Sequence, residues 1–131
     1  MPVMTLPTDR KFSETHEWFL IEGDLVTIGI TQHAADELTD ITFVELPAVG
    51  KKFNPGDAIG EVESVKATSE IFTSLAGEVI AVNKSLAEQP ELINDDAFDE
   101  GWMLKLRLTG SFDADSLMDA KEYKAFVKAV K

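Results

Sequence analysis

The stretch Ala58-Ile-Gly-Glu-Val-Glu-Ser-Val65, then Lys66-Ala67, then Thr68-Ser-Glu-Ile-Phe-Thr-Ser-Leu75 holds two runs of β-forming residues with almost no room to turn between them. Two such runs around so short a connection predict an antiparallel hairpin with Val65-Lys66-Ala67 at its apex. The apex is chemically odd, because tight hairpin turns favour Asn-Gly or Asp-Gly, and here the residues are Val, Lys and Ala. Departures of this kind are expected where function needs a particular side chain.

Outward from the hairpin, turn signals recur at the spacing of a compact β fold. Asn54-Pro55-Gly56-Asp57 is a strong turn just upstream, and Gly77–Val82 continues the sheet just downstream. Pro47 stops a strand at Ile41–Leu46, because proline cannot donate to a ladder. Gly23-Asp24 divides Glu17–Glu22 from Leu25–Ile30, a second hairpin. Thr31 is placed to cap a short helix, Gln32–Leu38, with Ala34, Ala35 and Leu38 facing inward. Ser85–Asn94, interrupted by Pro90, reads as broken helical turns, and Trp102–Leu108 as a strand. Ser111 and Asp113 open a helical tail over Asp115–Val130, with Leu117, Tyr123, Phe126 and Val130 as its apolar stripe. Gly60-Glu61-Val62 recurs as Gly77-Glu78-Val79 across the hairpin, as expected of two β-halves related by a quasi-twofold. The expectation is one mainly-β domain with short helices and a C-terminal helix, spanning residues 1–131.

Charge removes several classes of function. The chain has 12 Lys and Arg against 24 Asp and Glu, a formal net charge of -12. Phosphate binding needs clustered cations, so nucleic acid is excluded as a partner and anionic membrane surfaces are disfavoured. No apolar run approaches the ~18 residues of a membrane span. There is no cysteine, which rules out disulfides, thiolate nucleophiles and Cys-based metal sites. His16 and His33 stand in no metal-ligand pattern, so no metal site is expected. Neither a Gly-x-Ser-x-Gly elbow nor a phosphate-binding glycine loop is present, and no residue reads as catalytic.

One basic residue then stands apart. Between Phe53 and Asn83 the only base is Lys66, among Asp57, Glu61, Glu63, Glu70 and Glu78. Two readings fit: a solubilising lysine that screens these acids, or a lysine displayed for covalent modification.

The stretch Gly60-Glu-Val-Glu-Ser-Val-Lys66-Ala-Thr-Ser-Glu70, continuing to Gly77-Glu-Val, resembles the lipoyl-attachment site of the H protein family of the glycine cleavage system. Thr15-His-Glu-Trp18, Ile28-Gly-Ile-Thr31, Phe43-Val-Glu-Leu-Pro47, Pro90-Glu-Leu-Ile-Asn94, Gly101-Trp-Met103 and Ala120-Lys-Glu-Tyr123 are similar to that family in the same order. The resemblance implies a barrel-sandwich hybrid fold of the lipoyl/biotinyl type and a non-catalytic carrier that shuttles the aminomethyl group of glycine. Lys66 would bear lipoate in amide linkage. Glu63 and Gly77 match positions read by lipoylating enzymes. Thr15, Glu17 and Glu70 match the polar residues of the cleft in which the arm rests, where carboxylates favour a cationic cargo. Implied partners are glycine decarboxylase (P protein), aminomethyltransferase (T protein), dihydrolipoamide dehydrogenase (L protein) and the lipoylating enzymes. Ser74, Thr39 and Ala97 stand where the family usually has proline, glycine and proline. Two alternatives share the hairpin: a lipoyl-relay protein serving other lipoyl domains, and a biotinyl carrier, against which Val65 and Ala67 stand in place of flanking methionines. The implied location is the bacterial cytoplasm, or the mitochondrial matrix for a processed eukaryotic chain.

Overall fold

The structure is a computed structural model, and it describes residues 6–109 and 117–129. In chain order the elements are β1 (Lys11–Phe12), β2 (Glu17–Glu22), β3 (Leu25–Ile30), α1 (Gln32–Leu38), β4 (Ile41–Glu45), β5 (Lys52–Phe53), β6 (Ala58–Ser64), β7 (Thr68–Phe72), β8 (Gly77–Val82), α2 (Ser85–Glu88), α3 (Leu92–Asp95), β9 (Leu104–Leu108) and α4 (Ala120–Ala129). The strands form two antiparallel sheets. Six are ordered β1-β2-β3-β9-β8-β5, and three are ordered β4-β6-β7.

The two sheets share one core. Phe19, Val26, Ile28, Leu104 and Leu106 from the large sheet meet Ile41, Val44, Ile59, Val62 and Ile71 from the small one, all buried. A second cluster of Phe12, Trp18, Tyr123 and Val127 attaches α4 to the outer side of β1 and β2. Both faces of β2 are therefore covered, which explains its nearly unbroken apolar run Trp18-Phe-Leu-Ile21.

The echoed tripeptides occupy equivalent places. Each lies on the middle strand of a three-strand neighbourhood, β6 between β4 and β7 and β8 between β5 and β9. A Cβ on Gly60 would come 2.7 Å from the carbonyl oxygen of Glu45, and one on Gly77 would come 2.8 Å from that of Arg107. Both glycines allow a neighbouring strand to close in.

The tail departs from the sequence reading. Residues 110–116 and 130–131 lie outside the described residues, so Ser111, Asp113 and Val130 are not placed. Leu117 and Met118 are not helical: Leu117 enters the main core, and Met118 exchanges backbone hydrogen bonds with Phe12 at 2.7 and 2.8 Å. The helix begins one residue after Asp119, whose carboxylate accepts from Glu122 N–H at 2.8 Å while Glu122 Oε1 accepts from Asp119 N–H at 3.0 Å. This reciprocal cap is the start signal, and the pair Asp119-x-x-Glu122 carries it in the sequence. The strands β1 and β5, of two residues each, are too short for periodicity to reveal.

Tyr123 ties α4 to the sheet. Its hydroxyl lies 2.7 Å from His16 Nδ1 and 2.8 Å from Thr31 Oγ1. Burial pushes the phenol up to about 12, so it remains a donor. Thr31 Oγ1 already accepts from Ala34 N–H. One chain these contacts allow runs Thr31 O–H to Tyr123, then Tyr123 O–H to a neutral His16. Burial, and then the neighbouring His33, hold His16 below its usual 6.5, with Glu37 opposing.

Unfolding frees His16 to take a proton at a higher pH than the folded state allows. Stability should therefore fall as pH drops from about 6.5 toward the depressed folded value, and rise again on the way back. Denaturant midpoints measured across pH 5–8 should show this slope. His16→Asn, which tolerates the left-handed φ of 71° at this position, should flatten the His16 part of it.

Candidate functional site

The apex of the β6–β7 hairpin is held by Ser64. Its hydroxyl oxygen accepts from Lys66 N–H at 3.1 Å and Ala67 N–H at 3.0 Å, and its proton goes to Ala67 O at 3.1 Å. Ser64 N–H donates to the same carbonyl at 2.8 Å. A side chain thus supplies what Asn-Gly geometry supplies in other hairpins, and the apex needs no left-handed residue. Ser64 is buried while Val65, Lys66, Ala67 and Thr68 are exposed.

Lys66 does not simply extend into solvent. Its Nζ donates to the carbonyl of Glu37 at 3.1 Å, and Val65 N–H donates to the carbonyl of Asp40 at 3.1 Å. The apex rests on the turn between α1 and β4. Among the described residues no ion pair joins Lys66 to the surrounding acids.

Three of those acids, Glu61, Glu63 and Glu70, lie on the outer face of the small sheet, whereas Glu78 is on β8 of the large sheet. Glu45, Glu61 and Glu70 lie directly opposite one another across β4, β6 and β7, and Phe43, Glu63 and Thr68 form the adjacent row. Glu63 is exposed, and Phe43 keeps 55% of its surface. Gly77 is placed differently: it is buried in the large sheet, where its lack of a side chain serves strand packing.

Thr15 and Glu17 come together, and Glu70 does not join them through any hydrogen bond or ion pair among the described residues. Glu17 is 1% exposed. Its Oε1 accepts from Ser13 Oγ at 2.6 Å and from the Thr15 hydroxyl, and its Oε2 accepts from Phe72 N–H at 3.2 Å. Burial raises its pKa above the usual carboxylate value, and these three donors pull it back. The last of them spans the two sheets, from β2 to the free edge of β7. Beside this clasp lies a groove of about 290 Å³ lined by Ser13, Thr15, Ser74, Leu117 and Met118 among others.

The sequence reading missed three residues that build this region. Ser64 signals itself only as a serine directly before an otherwise poor turn. Ser13 carries no motif of its own. Asn94 enters the sequence reading only as the end of a matched segment, yet its side chain holds the α1–β4 turn from across the molecule.

Residues 10–130 match the family model described as glycine cleavage H-protein. The glycine cleavage system H protein of Methylacidiphilum infernorum is 46% identical over 125 residues, 95% of this chain and 98% of that protein. That of Thermus thermophilus is 44% identical over 126 residues, 96% and 98% of the two chains. The crystal structure of a glycine cleavage system H protein from Mycobacterium marinum superposes with a TM-score of 0.86 at 33% identity, covering 94% of this chain and 99% of the other. The two-sheet arrangement is the barrel-sandwich hybrid expected from the sequence.

Removing the Glu17 carboxylate would orphan two hydroxyls and an edge-strand N–H. Glu17→Ala should therefore lower stability by about 2–4 kcal/mol. Glu17→Gln, which keeps one acceptor oxygen, should cost less. Urea denaturation of the three proteins at pH 7 checks the order.

Proposed function

The chain belongs to the glycine cleavage H-protein family, and from that premise we propose that Lys66 is the residue that carries lipoate, in amide linkage. As a member of that family the protein is the lipoyl-carrying component of the glycine cleavage system and is not catalytic on its own. The observation that carries the assignment is the lone exposed amine at the hairpin apex, whose only polar contact among the described residues is a backbone carbonyl. A modifying enzyme reaches it without unfolding anything, and acylation buries no charge.

Lipoate supplies, when bound, a disulfide at the end of a long flexible arm that accepts the aminomethyl group of glycine and is later reoxidised. The chain's own residues present that arm. Ser64 fixes the apex, and the unbranched lysine stem extends the reach. Glu63, one residue before the buried Ser64 and on the exposed outer face, is where the lipoylating enzyme reads the hairpin. Gly77 serves that recognition through the strand packing it permits. The groove beside Thr15 receives the arm, and the carboxylates of Glu17, buried behind the Thr15 hydroxyl, and of Glu70 on β7 favour a cationic cargo.

The outer face, with Glu45, Glu61, Glu63 and Glu70, meets the partner enzymes: glycine decarboxylase, aminomethyltransferase and dihydrolipoamide dehydrogenase. Among the described residues no helix is long and apolar enough to cross a membrane. The bacterial relatives support a cytoplasmic location, and residues 1–131 act as one domain.

Protein isolated from its native cells should show a lipoyl mass increment, mapped to the peptide bearing Lys66 and lost in Lys66→Arg. An unmodified Lys66, or a biotin-sized increment, would overturn the assignment.

A further inference from the structure

Outside the hairpin, only the end of α1 and the α1–β4 turn that follows it hydrogen-bond the apex among the described residues. The Glu37 carbonyl, in the last turn of α1, receives Lys66 Nζ, and the Asp40 carbonyl, in the turn, receives Val65 N–H. Between them lies Thr39, with φ 63° and ψ -146°. That region is nearly reserved for glycine, and a β-branched residue there stores about 1–3 kcal/mol of strain. Such a turn keeps its shape only if its surroundings over-determine it.

Asn94 does so with one side chain. Its Nδ2 donates to Thr39 O at 2.7 Å and to Ala35 O at 3.4 Å, and its Oδ1 accepts from Ile41 N–H at 3.0 Å. The two nearest contacts bracket Asp40, the residue that docks the apex. Asn94 is itself anchored: Gln32 Nε2 donates to its carbonyl at 2.9 Å, and the adjacent Ile93 is completely buried.

We propose that Asn94 is a positioning residue for the modification of Lys66, acting by clamping the strained Thr39 turn that holds the hairpin apex. The inference rests on the reading of Lys66 as the lipoylated residue. In the step concerned, Lys66 gives up a proton and its nitrogen forms an amide bond to the carbonyl of an activated lipoyl donor, an acyl adenylate. The acyl–phosphate bond breaks and the nucleotide leaves. No electrons are exchanged. Asn94 touches none of these atoms; it sets how often the apex stands ready for the enzyme. A loss in the ready fraction raises the apparent KM for the protein substrate and leaves kcat unchanged.

The test uses the full chain prepared without lipoate, a purified lipoylating enzyme, and lipoic acid with ATP. Asn94→Ala should raise KM for the chain by about tenfold, with kcat within about twofold of the parent. The Val65 amide should exchange with deuterium about tenfold faster, beyond any change at the core amide of Ile28. Asn94→Asp keeps the acceptor for Ile41 but sets a carboxylate oxygen against the carbonyls of Thr39 and Ala35; it should raise KM at least as far, and it stands in if Asn94→Ala does not fold. Adding Thr39→Gly to Asn94→Ala relieves the strain that the clamp opposes and should bring KM back toward the parent value, which a role confined to overall stability does not predict. KM within twofold of the parent in both Asn94 variants, with unchanged Val65 exchange, overturns the proposal alone. Parent protein that is not modified at Lys66 overturns the underlying reading, and the proposal with it.

Discussion

The hydroxyl of Ser64 accepts from two successive amides and donates to a carbonyl, and the display of Lys66 depends on that single oxygen. An amine displayed for another protein, as proposed for Lys66, cannot be held by burial. Packing, which stabilises most of this chain, is unavailable at the apex, so polar contacts must set its shape. Ser64 does this from inside, at 8% exposure, where water competes poorly for its lone pairs. The outer contacts from Val65 and Lys66 to the α1–β4 turn complete the arrangement.

The rest of the small sheet is consistent with that division. Its inner face, with Val44, Ile59, Val62 and Ile71, supplies the apolar burial that holds it to the large sheet. Its outer face carries Glu45, Glu61 and Glu70 in one cross-strand row, an arrangement that costs roughly 0.2–1 kcal/mol per directly opposed pair. Water and salt screen that repulsion because the face is exposed. Stability is settled on one face, and the other is left free to be acidic. The Glu17 clasp adds a side-chain bond between β2 and the β7 edge, so the free edge of the small sheet is capped at Phe72.

Much of this was legible in the sequence, for identifiable reasons. Hairpins and the α1 helix were found because β-branched alternation, Gly-Asp and Asn-Pro-Gly-Asp turns, and a threonine cap are local signals. Thr31 does cap α1, accepting from Ala34 N–H at 3.2 Å. The start of the tail helix was misplaced because Ser111 and Asp113 are plausible caps by composition, whereas Asp119 is singled out only by its exchange with Glu122. Lys66 stood out because it was the one base in an acidic stretch. Asn94 did not, because nothing near it in sequence hints that it bonds residues more than fifty positions away. Contacts across the chain are where a linear reading loses sight of a site.

The excess of acid takes on a more local meaning at the apex. As an ammonium, Lys66 sits at the C-terminal turn of α1, where the unpaired carbonyls concentrate partial negative charge and favour a cation. An amide nitrogen at the same position has no charge, and that attraction is lost. The backbone contact from Val65 to Asp40 does not depend on the charge of the side chain and is retained. Acylation, as proposed for Lys66, would therefore separate two functions that the free lysine combines: the hold on the side chain would weaken while the hairpin stays fixed to the α1–β4 turn. A mobile arm on a fixed mount is what a carrier requires, and on the proposed assignment it would follow from one contact being electrostatic and the other main-chain.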